Sequence, residues 1–146
     1  MIITSPAFED SGVIPIKYTC DGENVNPPLK FIGVPEATQS LVLIMDDPDA
    51  AIGIWVHWVV ANIDPEITSI NEGIAPKGAK EGINSSGNFG YDGPCPPSGT
   101  HRYFFRLYAL DKKLEIVSIN SKEEIEQMMS VHIIAQAELM GQYSRQ

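Results

Sequence analysis

The chain has 146 residues, 43% of them hydrophobic and 20% charged, the make-up of one folded domain over 1–146 rather than of a disordered segment. Ten Lys and Arg stand against nineteen Asp and Glu, a formal net charge of -9, so the mean field repels DNA, RNA and anionic bilayers, and any anion site must be local. No apolar run reaches the ~18 residues of a membrane span. Met1-Ile2-Ile3-Thr4-Ser5-Pro6 offers neither a basic nor an apolar leader region, which makes the cytoplasm the expected location.

Cys20 and Cys95 lack C-x-x-C spacing, so neither a disulfide framework nor a zinc knuckle is expected, and a single bridge between them stays open. Eleven prolines and twelve glycines break the chain into short runs and favour strands over a helical bundle. The first clear element is 40–46 (SLVLIMD) and the next is 54–61 (IWVHWVVA). Both are apolar almost throughout, as central strands covered on both faces are. Between them Asp46, Asp47 and Asp49 crowd around Pro48. Turn chemistry alone accounts for such a cluster. The functional alternative is that Pro48 stiffens the backbone so that Asp47, Asp49 or both project into a cavity, with Asp46 turned outward. His57 interrupts the second strand, where a lone histidine is commonly a satisfied core residue but still needs a partner.

The stretch 68–88 is poor in large apolar residues and reads as a long connection, a kind of loop that often carries function. After the stiff run 93–100 (GPCPPSGT) comes a strand over 101–110 (HRYFFRLYAL). Its His101, Tyr103, Phe105, Leu107 and Ala109 share one face, and Arg102, Phe104, Arg106 and Tyr108 the other. His101 and Asp47 both fall where a strand meets a loop, and free N–H groups around Gly99 and Thr100 could cradle an oxyanion. A helix is predicted from Lys122 to about residue 140, opened by a capping box of Ser121 and Glu124 and stopped at Gly141. Its apolar stripe includes Ile125, Met129, Ala135 and Leu139, and His132 on the same stripe is assigned a structural role.

If the fold gathers Asp47, Asp49, His57 and His101, they partner one another in one polar pocket. Two His and two Asp also suit a divalent metal, and Cys95 with His101 suits a thiolate–imidazolium pair, although no metal is assigned. The motifs of serine hydrolases and of nucleotide binding are missing, and no cofactor is assigned.

Asp47-Pro48-Asp49-Ala50, Trp55-Val56-His57-Trp58, and Tyr91-Asp92-Gly93-Pro94 through Gly99-Thr100-His101-Arg102-Tyr103 closely resemble the signature blocks of phosphatidylethanolamine-binding proteins. These are also called Raf kinase inhibitor proteins, and the spacing is that of their short prokaryotic branch. The segment from Tyr18-Thr19-Cys20-Asp21-Gly22 to Pro27-Pro28-Leu29 and the closing Ala135-Gln136-Ala137-Glu138-Leu139 extend the resemblance over essentially the whole chain. Ala51 departs from it, where many members carry proline, and so does Val131, where many carry glycine.

The resemblance implies a mainly β fold (β-rich α+β), with a large central antiparallel sheet, a smaller second sheet, short helices and one C-terminal helix. It also implies a non-catalytic pocket for a small anion, phosphate or a phosphoryl head group, at Asp47, Asp49, Trp55, His57, Tyr91, Pro94, His101 and Tyr103. Aspartates beside the imidazoles would favour two imidazolium donors, and Trp55 or Tyr91 could meet a ligand ammonium. A protein partner such as a kinase or protease, and a homodimer, are compatible with the family, whereas strong membrane binding is not expected at this charge. One competing reading is a hydrolase-type enzyme with His57 or His101 as general acid or base, oriented by Asp47 or Asp49, with or without a metal. Another is a domain whose chief property is self-association.

Overall fold

The apolar runs become β4 (Ser40–Asp47) and β5 (Trp55–Ile63), which pair antiparallel in the computed structural model, a structure that describes residues 1–118 and 120–145. With β2 (Gly12–Val13), β7 (Lys80–Glu81), β8 (His101–Leu110) and β9 (Ile133–Tyr143) they form a six-stranded sheet of order β2-β9-β8-β4-β5-β7. Every neighbouring pair in it is antiparallel except β2 with β9. A three-stranded sheet of β1 (Ile2–Thr4), β3 (Leu29–Ile32) and β6 (Ser69–Ile70) packs beside it. The long connection 68–88 is mostly irregular and supplies only the two-residue strands β6 and β7.

Both faces of β4 are covered, which is why its sequence does not alternate. Leu41, Leu43 and Met45 join Phe105 and Leu107 of β8 and Leu29 and Phe31 of the small sheet in the main core. Val42 and Ile44 face the other way, against Val59 and Ala61 and beneath Ile125 and Met129 of α1 (Lys122–Met129). The capping box is present, with Ser121 accepting from the Glu124 N–H and Glu124 accepting from the Ser121 N–H.

Three expectations are corrected here. The helix ends at Met129, a turn follows, and from Ile133 the chain runs as β9 along the whole of β8. Ala135 and Leu139 lie four apart, a helical spacing, but 135, 137, 139, 141 and 143 also share one face of a strand, and Leu139, Gly141 and Tyr143 are buried there. Pairing with β8 outweighs the helix preference of Ala, Gln and Glu. Gly141 is no helix stop: it pairs with Tyr103, and a Cβ there would come within 2.5 Å of Ile14. His132 leaves the supposed stripe for the turn, where its ring pairs with Asp111 at 2.9 Å.

Asp46, expected to turn outward, is only 1% exposed. It continues the Val42–Ile44 face under α1, where Arg106 Nη1 at 2.5 Å and Lys122 Nζ at 3.1 Å neutralise it. Among the described residues no helix is long and apolar enough to cross a membrane. Asp46→Ala removes the buried carboxylate that holds both cations, leaving Arg106 to Glu138 and Lys122 to Glu126, and is expected to cost about 2 kcal/mol in urea unfolding. A loss within about 0.5 kcal/mol, the range of ordinary surface substitutions, would contradict this role.

Candidate functional site

The ladder between β4 and β5 slips by one residue at its lower end. Met45 pairs with Trp58, yet Asp46 pairs with Val56 and Asp47 with Trp55. His57 is therefore the extra residue of a β-bulge, which frees its side chain from strict alternation. Its ring meets Tyr103 edge-on at 5.2 Å between centroids and lines a cavity of about 330 Å³.

The bulge also exposes backbone for another segment to grip. The Asp92 N–H donates to the His57 carbonyl at 3.1 Å, and His57 Nδ1–H donates back to the Asp92 carbonyl at 2.6 Å. A carbonyl can only accept, so the Nδ1 hydrogen is fixed and a neutral ring presents Nε2 as a lone pair. Burial pushes the His57 pKa down, against the Asp92 carbonyl bond and the charges of Asp47, Asp92 and Asp46. The expected pair of imidazolium groups thus loses one member, because His57 is 4% exposed and held neutral. Among the described residues its Nε2 is buried without a partner.

On the opposite wall, His101 Nδ1–H donates to Asp47 Oδ2 at 2.6 Å, both side chains nearly buried. The other Asp47 oxygen accepts the Asp49 N–H at 2.7 Å, closing the turn that Pro48 stiffens. Asp47 is thereby an orienting group. Asp49 turns away and clasps Arg102 through Nε at 2.9 Å and Nη2 at 2.8 Å, and it also accepts the Arg102 N–H at 2.9 Å. These bonds hold its carboxyl down to about 2. Alternation along β8 explains the division, since His101 and Tyr103 face inward and Arg102 outward. Burial, and then the Asp47 charge, push the Tyr103 phenol up, so it stays an O–H; among the described residues that hydroxyl is buried without a partner.

Of the residues singled out from sequence, Asp47, Trp55, His57, His101 and Tyr103 line the cavity, while Asp49, Tyr91 and Pro94 support it from outside. Tyr91 is buried and donates to the Tyr18 carbonyl at 2.7 Å, and the Pro94 carbonyl accepts the Cys20 N–H at 3.1 Å. Gly99 and Thr100, offered as an oxyanion cradle, do not line it. Asp92, Ser86, Ile52, Pro96 and Pro97 were missed and do. Asp92 acts on His57 through its carbonyl, which no side-chain pattern announces, while its carboxylate accepts from the Ser86 hydroxyl.

The wall from Asp92 to Pro97 is anchored twice. A Cβ on Gly93 would lie 2.3 Å from the Tyr18 carbonyl oxygen, so only glycine lets the segment lie this close. Two residues on, Cys95 forms a disulfide with Cys20, with the Cα atoms 5.4 Å apart. The open question of a single bridge is thus answered, and the bridge removes the thiol that a Cys95–His101 nucleophile needs.

Residues 4–144 match the family model described as "Phosphatidylethanolamine-binding protein". A UPF0098 protein of Methanothermobacter thermautotrophicus is 50% identical, with 99% of each chain covered. The crystal structure of a putative phosphatidylethanolamine-binding protein homolog, CT736 of Chlamydia trachomatis, superposes with a TM-score of 0.96 at 43% identity, covering 99% of this chain and 97% of that one. The crystal structure of YbcL of E. coli, described as a new member of the mammalian PEBP family, superposes with a TM-score of 0.91 at 31% identity, covering 99% of this chain and 98% of that one.

The buried neutral His57 has a consequence for stability. Its folded pKa lies below the ordinary value of 6.5, so just below that pH the unfolded chain binds more protons than the folded one. Its contribution is complete above pH 6.5 and is lost as the pH falls, by at most about 1.4 kcal/mol per pH unit. Urea unfolding between about pH 7 and about pH 5 is expected to show this slope, and His57→Gln to make it shallower. Equal slopes would contradict a neutral His57.

Proposed function

The chain belongs to the phosphatidylethanolamine-binding protein family, and from that membership we propose that it is a non-catalytic binding protein whose cavity takes a small anion, phosphate or a phosphoryl head group. The observation that carries this reading is the pair of buried, unpartnered polar atoms, His57 Nε2 and the Tyr103 hydroxyl, on residues lining one cavity beside His101. Folded proteins rarely leave such atoms unpaired, and a ligand that completes them removes the penalty.

The walls support binding over turnover. Asp47 uses one oxygen on His101 and the other on its own turn, so it orients rather than reacts. Ile52 lines the cavity while 85% exposed, giving the mouth an apolar lip on which the remainder of a larger ligand, or a protein partner, can rest.

Titration with inorganic phosphate is expected to move the ring proton signals of His57 and His101 and to leave those of His132, in its distant turn, unmoved. His101→Ala is expected to weaken binding at least about tenfold, by removing a polar group with a fixed orientation. Ring signals of His57 and His101 that stay in place at saturating phosphate would overturn the reading.

A further inference from the structure

The six-stranded sheet is only partly closed on its β9 side. β2 pairs with Gly141 and Gln142, and the chain just before it adds the last cover, the Ser11 N–H donating to the Met140 carbonyl at 2.7 Å and the Met140 N–H donating to Asp10 at 2.9 Å. Met140 therefore turns its backbone groups away from β8. Opposite residues of an antiparallel ladder alternate between exchanging both backbone bonds and exchanging none. Glu138 and Gln136, two and four residues earlier, face Arg106 and Tyr108 in the same unbroken register, so their N–H and C=O groups also point outward. Among the described residues no backbone group meets them. A charge often guards such an edge, but the Glu138 carboxylate is spent across the sheet face on Arg106 Nε at 3.1 Å.

Cavities flank this open stretch on both faces of the sheet. One of about 360 Å³ lies toward β1, with Ile2, Ile3, Phe8 and Leu139 in its lining beside Glu9 and Asp10. The other, of about 390 Å³, is lined by Arg106, Tyr108, Gln136 and Glu138. A chain extended along the edge sends successive side chains into them by turns. Charge around the groove is acidic, from Glu9, Asp10 and Glu138, while Arg106 is held by Asp46 and Glu138. We propose that the β9 edge over Gln136 to Glu138 takes up an extended segment of a partner protein as an added strand, its apolar residues directed toward β1 and its basic residues toward the opposite face. A second copy of this chain suits the edge less, because it would bring together two chains of net charge -9 and two Glu138 side chains. This surface is independent of the anion cavity.

Amide hydrogen exchange of the intact protein, with and without a synthetic peptide of alternating valine and lysine, tests this. In the free protein the Gln136 and Glu138 amides are expected to exchange at least about tenfold faster than those of Ala137 and Leu139, which face β8. The peptide is expected to slow the first two at least about tenfold and to leave the other two unmoved. The same peptide N-methylated along its backbone has no N–H to donate and is expected to give no protection. A valine–glutamate peptide is expected to bind at least about tenfold more weakly at low salt. Gln136→Pro removes an N–H that the β8 ladder does not use, and is expected to weaken binding of the valine–lysine peptide. The wild-type exchange pattern decides the matter even if that variant fails to fold. No binding, equal binding of the lysine and glutamate peptides, or binding that leaves the Gln136 and Glu138 amides unprotected would overturn the proposal. Protection that rises with protein concentration in the absence of peptide would make a second copy the occupant, and would overturn it as well.

Discussion

The pairing of β4 with β5 slips twice, and at the slip beside the cavity His57 is the extra residue on the β5 side. With regular pairing, Asp46 would face His57 across the ladder. The bulge instead sets Val56 beside Asp46, on the side covered by α1, and releases His57 toward Tyr103. It also leaves the His57 backbone carbonyl free to receive the Asp92 N–H, so the loop that closes the cavity docks on the same irregularity. Ring orientation, hydrogen placement and loop position thus share one origin.

Two consecutive acids show how strongly the pleat decides chemistry. Asp46 faces α1 and is neutralised by Arg106 and Lys122 in a structural ion cluster. Asp47, one residue later, faces the cavity side and sets the His101 ring. The same alternation on β8 separates His101 from Arg102, and so separates the two aspartates that flank Pro48. Asp49 and Arg102 hold the turn in place from outside, while Gly93 and the Cys20–Cys95 bridge hold the opposite wall. Burial keeps His57 neutral in this setting, against the Asp92 carbonyl bond that holds its Nδ1 hydrogen.

The parts of this arrangement that were legible in the sequence are those that depend on runs of side chains. The double-sided burial of β4 and β5, the two faces of β8 and the capping box of α1 each leave a local pattern. β9 does not, because Ala, Gln and Glu suit a helix and the choice falls to a partner strand far away in sequence. The bulge was hidden as well: an extra residue in a strand looks like any other until the opposite strand is aligned. Contacts made by backbone atoms, such as the Asp92 carbonyl on His57, carry no residue signature. The resemblance to a family pointed to Asp49, Tyr91 and Pro94 as pocket residues, and their positions just behind the wall are consistent with support more than contact. The bridge between Cys20 and Cys95 joins residues 75 apart, a separation that says nothing about proximity.

The reading of the cavity turns on which His57 nitrogen holds the hydrogen. Long-range proton–nitrogen correlation on the ligand-free protein near neutral pH distinguishes the two directly. A protonated Nδ1 with an unprotonated Nε2 is the expected result. A hydrogen on Nε2, whether in the other neutral tautomer or in the imidazolium, would contradict it.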